Sequence, residues 1–128
     1  MGSYADDALF MSRNNIEYVE LISDDGKSKV MVIPAWQGRV MTTSAAGDEG
    51  DSYGWINYSF IKKRQIDLQF NPVGGEERFW LGPEGGVFSL YFRQGEKQIY
   101  KNWKVPPVLD IEAFKIQSQS KNCICLTK

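Results

Sequence analysis

The residues of this chain best equipped for chemistry crowd into one stretch, Gly74 to Gly86, which reads GGEERFWLGPEGG. It places Glu76, Glu77 and Glu84 around Arg78, with Phe79 and Trp80 alongside. Two carboxylates flanking a glycosidic bond are what glycoside hydrolysis requires, one of them as the acid. An arginine offers five donors in a planar fork, which suits sugar hydroxyls or a carboxylate. Trp80 adds an indole face for the apolar side of a sugar ring. The ligand-binding candidates are therefore Arg78, Trp80 and Glu84. The same residues also admit a structural reading, with Trp80 in the core and Arg78 paired to Glu84 or Glu77. Glycines at 74, 75, 82, 85 and 86, with Pro83, allow sharp reversals on either side of EERFWL.

Other chemistries are absent from the chain. It contains no histidine, which removes His-dependent nucleophilic triads, His-based metal sites and the commonest acid/base group at neutral pH. The glycines fit neither the P-loop nor the G-x-G-x-x-G pattern. Cys123 and Cys125 form a lone C-x-C. On a strand they would point to one face, about 6.6–7 Å apart, which is the upper limit for an unstrained disulfide. As a zinc site the pair lacks two ligands. The oxygen-rich loop GDEGDS, Gly47 to Ser52, offers calcium-type donors without the spacing of an EF-hand. No catalytic residue, metal ligand or cofactor is assigned from these patterns.

The elements that must position the candidate residues read mainly as β-structure. Ser3, ahead of Asp6, Asp7 and Ala8-Leu9-Phe10-Met11, predicts a short capped helix. IEYVELIS and VMVIP flank Asp25-Gly26 and predict a hairpin, and GRVMTTSA predicts a third strand. Trp55, Tyr58 and Ile61 recur at helical spacing. QIDLQF alternates Ile66, Leu68 and Phe70 against polar residues, the pattern of a half-buried strand, while VFSLYF suits a buried one. KNWKVPPVLD, with Pro106-Pro107, predicts an extended connector. FKIQSQS and CICLT read as the last strands. Trp36, Trp55 and Trp103 read as core or rim aromatics.

The chain is the size of one domain, 128 residues, with 42% hydrophobic and 24% charged residues. No repeat or linker divides it, so residues 1–128 are expected to form a single β domain. The net charge of −1 offers no broad positive field for nucleic acid. Lys62-Lys63-Arg64 reads as a solvated helix or turn end. No window approaches the ~18–20 apolar residues of a membrane span. The first residues lack the organisation of a signal peptide, but Met1-Gly2-Ser3 reads like an expression remnant. Both a periplasmic or secreted location with a leader removed and a cytoplasmic one therefore stay open.

QGRVMTTSAAGDEGDSYGWINYSFI, GGEERFWLGPEGGVFSLYF and NWKVPPVLDIEAFKIQSQSK together resemble an uncharacterised bacterial family with a galactose-mutarotase-like (aldose 1-epimerase-like) β-sandwich fold. The likeness runs from Tyr4 to Lys121. Gly74-Gly75, Arg78, Trp80, Pro83 and Glu84 resemble the GG..R.W..PE signature of the wider superfamily, which binds sugars in a cleft on one sandwich face. The resemblance implies an all-β, mainly antiparallel sandwich, present in part, with one or two short helices. It also implies a parent chain longer than this one. Arg78 matches a sugar-contacting position of the signature, and Glu84 its glutamate. The catalytic histidine and glutamate of mutarotases come from later in that pattern and have no counterpart here. The expected role is thus carbohydrate-associated and non-catalytic. Its alternatives are a carbohydrate-active enzyme using Glu76, Glu77 or Glu84, and a structural β domain that self-associates through exposed strand edges in VFSLYF and CICLTK.

Overall fold

A computed structural model describes residues 2–128; Met1, part of the supposed remnant, lies outside the described residues. The chain opens with helix α1, Tyr4–Arg13, closed by a reciprocal capping box between Ser3 and Asp6. Tyr4, Asp7 and Met11 are its buried residues and form a single stripe at helical spacing. Gly2 and Ser3 are part of the fold: Ser52 N–H donates to the Gly2 carbonyl at 3.1 Å, and Ser3 bridges to Asp51.

Strands β1 (Val19–Ile22), β2 (Lys29–Ile33) and β3 (Arg39–Ser44) make an antiparallel sheet in the order β1-β2-β3. The β1–β2 turn is organised by Asp25, whose Oδ1 accepts from Ser23 Oγ at 2.6 Å and from Lys27 N–H at 3.0 Å. The register shifts between Met31 and Val32, which face Thr42 and Val40, so Met41 is an extra residue that bends β3. α1 and this sheet bury Tyr4, Met11, Met31, Ile33 and Met41, and Ile56, Ile61 and Val73 complete that core.

Helix α2, Tyr58–Lys62, is capped by the Asn57 side chain, which accepts from Phe60 N–H. The expected helical stripe is only half realised, because Trp55 precedes the helix and is 64% exposed. Helix α3, Pro107–Asp110, follows, with a proline in its first turn. That exceeds the one or two helices expected and shortens the predicted connector: Pro106 stays extended, while Pro107's fixed φ suits a helix start. Strands β4 (Lys115–Gln119) and β5 (Ile124–Thr127) form a second antiparallel sheet of two strands. The fold is therefore mainly β, with two small antiparallel sheets and minor helix.

Two expected strands do not form. QIDLQF is irregular, with Ile66 and Leu68 each 68% exposed. Asn71 ties up the backbone there, its Oδ1 accepting from Asp67 N–H and its Nδ2 donating to the Asp67 carbonyl, both at 2.8 Å. VFSLYF is also irregular and largely exposed, Val87 at 90% and Phe88 at 86%. Tyr91 is its one buried residue, joining Val105 and Leu109 in a second, smaller core rimmed by Phe70, Trp80, Phe92 and Trp103. Among the described residues, no helix is long and apolar enough to cross a membrane.

Candidate functional site

Gly74 and Gly75 lead into the candidate stretch with φ of 95° and 113°, a region that L side chains avoid. A Cβ on Gly74 would stand 2.2 Å from the Trp55 carbonyl oxygen, and one on Gly75 would stand 2.9 Å from Arg39 Cδ. The glycine pair thus lets the chain lie against β3. Glu76 and Glu77 N–H both donate to the Val40 carbonyl there, and Arg39 Nη1 donates to the Gly74 carbonyl at 2.7 Å. The segment after the pair is held at a defined height beside the sheet.

Arg78, Trp80 and Glu84 come together, though not in the pairing the sequence suggests. Trp80 Nε1 donates to Glu84 Oε1 at 2.7 Å. The Arg78 guanidinium stands 4.2 Å from the Trp80 ring centroid and 5.9 Å from that of Phe70. Its carboxylate partner is Asp110, at 3.3 Å, rather than Glu77 or Glu84. Arg78 also donates to the Leu109 carbonyl at 2.5 Å. Trp80 belongs both to the candidate site and to the rim of the second core.

Asp110 is the residue that sequence reasoning missed. Its side chain is 2% exposed, and it accepts from Asn71 N–H and Nδ2 on one oxygen and from Arg78 on the other. Arg39, 4% exposed, approaches that second oxygen at 3.9 Å. Two buried or half-buried guanidiniums therefore share one carboxylate. Burial first, and the like charge of Arg78 second, push the Arg39 guanidinium down to about 10, with Asp110 opposing; it remains protonated at neutral pH. Burial also lowers Arg78, again opposed by Asp110. The Nε atoms of both arginines are buried without a hydrogen-bond partner. The available signal was Arg39 itself: in a strand it shares a side with Met41, so the alternation aims a charge at the core.

From Trp80 the aromatic rings continue outward. Tyr91 lies 5.3 Å from Trp80, Trp103 stacks on Tyr91 at 5.7 Å and 6°, and Tyr100 stacks on Trp103 at 6.2 Å and 17°. Gln69 Nε2 fixes the outer wall by donating to the Tyr100 carbonyl at 2.6 Å and the Trp103 carbonyl at 2.9 Å. Tyr91 and Trp103 line an open groove of about 540 Å³, a volume in the range of small-ligand sites. Arg78, Trp80 and Glu84 are not among its lining residues; they stand one ring behind it. Of the other tryptophans, Trp36 is half-buried against the first core, and Trp103 rims the second.

The remaining acidic candidates are dispersed. Glu76 accepts from Thr43 Oγ1 at 3.1 Å, and Glu76, Glu77 and Glu84 are all exposed. In the GDEGDS loop, Asp48 pairs with Lys29 at 2.6 Å, and Ser52 joins a buried relay. There Asp7 accepts from Ser52 Oγ and Tyr58 Oη, while Ser52 Oγ shares a hydrogen with Thr42 Oγ1. Burial, and then the bond to Asp7, push the Tyr58 hydroxyl up. This relay fastens α1 and α2 to the sheet. Cys123 and Cys125 are free and exposed, and no cluster of three potential metal ligands occurs among the described residues.

The chain belongs to a family of unknown function (DUF6786), whose model matches residues 2–128. No curated protein and no solved structure matches it.

Proposed function

We propose that this chain is a carbohydrate-associated β domain, part of a galactose-mutarotase-like sandwich, that holds a saccharide without transforming it. The observation that carries the reading is the continuity of one aromatic array. It begins at the Arg78–Trp80–Glu84 group, runs through buried Tyr91 to half-buried Trp103, which lines an open groove, and ends at exposed Tyr100. Sugar rings present apolar C–H faces and polar edges. The exposed Tyr100 ring and the accessible part of Trp103 suit the first, and amide, carboxylate and guanidinium groups suit the second. The absence of histidine in the chain and the exposure of Glu76, Glu77 and Glu84 leave acid/base catalysis without a supporting observation.

A glycan-array screen followed by tryptophan-fluorescence titration tests the reading. Trp103→Ala and Arg78→Ala should each weaken binding, the first by removing a stacking surface and the second by loosening Trp80. The proposal fails if no glycan binds, or if both variants bind like the parent.

A second reading, self-association, draws on the exposure of VFSLYF. Val87, Phe88 and Leu90 present apolar side chains to solvent, and all five residues of β4 are exposed. Such surface favours burial against another copy or a further part of a sandwich. Light scattering across a concentration series should report a discrete oligomer that Val87→Asp with Phe88→Asp dissociates; a monomer at every concentration removes this reading.

A further inference from the structure

The groove beside the aromatic array carries a charge opposite to that of the whole chain. Besides Tyr91 and Trp103 it is lined by Arg93, Lys101 and Lys104, against a single carboxylate, Glu96. The chain as a whole has a net charge of −1. None of these three cations takes part in an ion pair among the described residues; the pairs present involve Lys29, Arg39, Arg78, Lys121 and Lys128. Glu96 Oε2 accepts from the backbone N–H of Arg93 at 3.4 Å, so the one lining carboxylate faces the main chain as well. One ring behind the groove, Arg39 and Arg78 share Asp110 alone and leave a further positive charge. A neighbouring cavity of about 560 Å³ shares Phe92, Arg93 and Glu96 with the first, so the surface extends beyond one sugar ring.

We propose that the groove takes an anionic oligosaccharide, one bearing carboxylate or sulfate groups, with half-buried Trp103 against its rings and Arg93, Lys101 and Lys104 along its charged edge. This rests on the saccharide reading above and adds the class of sugar. Unpaired cations over an aromatic floor reward charge on the ligand, whereas a neutral sugar would leave them to solvent. The attraction is between exposed groups, so it is screened by salt.

Titration calorimetry with three probes tests the inference: tetragalacturonate, its fully methyl-esterified and therefore uncharged form, and a sulfated oligosaccharide. Tetragalacturonate should bind about tenfold more tightly than the ester, as expected for a few exposed charge pairs. The difference should vanish in 1 M salt and in the Lys101→Ala, Lys104→Ala double variant, whose sites are exposed and leave the fold intact. Tight binding of the sulfated probe alone keeps the anionic class and identifies sulfate as the charge. Equal affinity for tetragalacturonate and its ester overturns the inference while leaving saccharide binding standing. Failure of all three, together with an empty glycan array, overturns both.

Discussion

The first core and the second differ in how their apolar residues are held. In the first, α1 and the sheet β1-β2-β3 supply regular backbone, and Tyr4, Met11, Met31, Ile33 and Met41 are wholly buried. In the second, only Tyr91, Val105 and Leu109 are buried, the backbone from Arg64 to Ile99 is turns, bends and isolated bridges, and aromatic rims replace strands. The first is built by ladders of backbone hydrogen bonds, which bring their side chains along. The second is built by side chains, with Asn71 and Asp110 satisfying the backbone and the aromatic rings filling space. A region assembled in that way leaves apolar residues in solvent, as Val87 and Phe88 are, and keeps ring faces near an open groove. Those are the conditions for meeting a ligand or another chain.

Asp110→Ala should give the largest loss. It strands two guanidiniums and the Asn71 donors, a change that costs about 3–5 kcal/mol, and chemical denaturation should show it. A cost below about 1 kcal/mol would mean that water reaches the arginines and that the second core is looser than a 2% exposed Asp110 implies.

Met41→Ala should come next, at about 2–5 kcal/mol for a side chain fully buried in the first core. The matching change on the other side, Val87→Ala, should stay within about 0.5 kcal/mol because the side chain is in solvent. If the two costs were alike, VFSLYF would be buried in solution and the contrast between the regions would collapse.

Ser3→Ala removes half of the capping box and should cost about 1 kcal/mol, read as a shift in the thermal midpoint. The smallest effect concerns acid. Asp6 is held below its ordinary value of 3.8, first by the Ser3 backbone N–H and then by the Ser3 hydroxyl. Its folded value is depressed, so its stabilisation is complete above the unfolded value and is lost as pH falls through the folded one. Denaturation curves for Asp6→Asn should therefore converge on those of the parent as pH falls below 3.8 through the depressed folded value; a gap that stays constant through that fall would remove Asp6 from the cap.

What was legible in the sequence depended on whether a local signal had a nearby partner. The Ser3 cap, the Asp25-Gly26 hairpin and the strand from Arg39 are decided within a few residues, by capping, turn chemistry and alternation between consecutive strands. QIDLQF carried an equally clean alternation. Alternation states only which side chains would share a face if a partner strand were there. None pairs with it, and the Asp67–Asn71 hydrogen bonds take the backbone instead. VFSLYF was lost in the same way: Ser89 Oγ donates to the Glu84 carbonyl and Tyr91 N–H donates to Ser89 Oγ, so the segment turns on itself.

The candidate site divides along the same line. Residue order is enough to bring Arg78, Trp80 and Glu84 close together, because two glycines and a short span leave them little room to separate. Composition is enough to close histidine chemistry to the chain. Only long-range packing pairs Arg78 with Asp110, thirty-two residues away in sequence, sets Arg39 on the same carboxylate, and leads from Trp80 through Tyr91 to a cationic groove. The physical reason is that a buried charge takes whichever partner the packing places against it, and residues distant in the chain are brought together only when the cores on either side have closed.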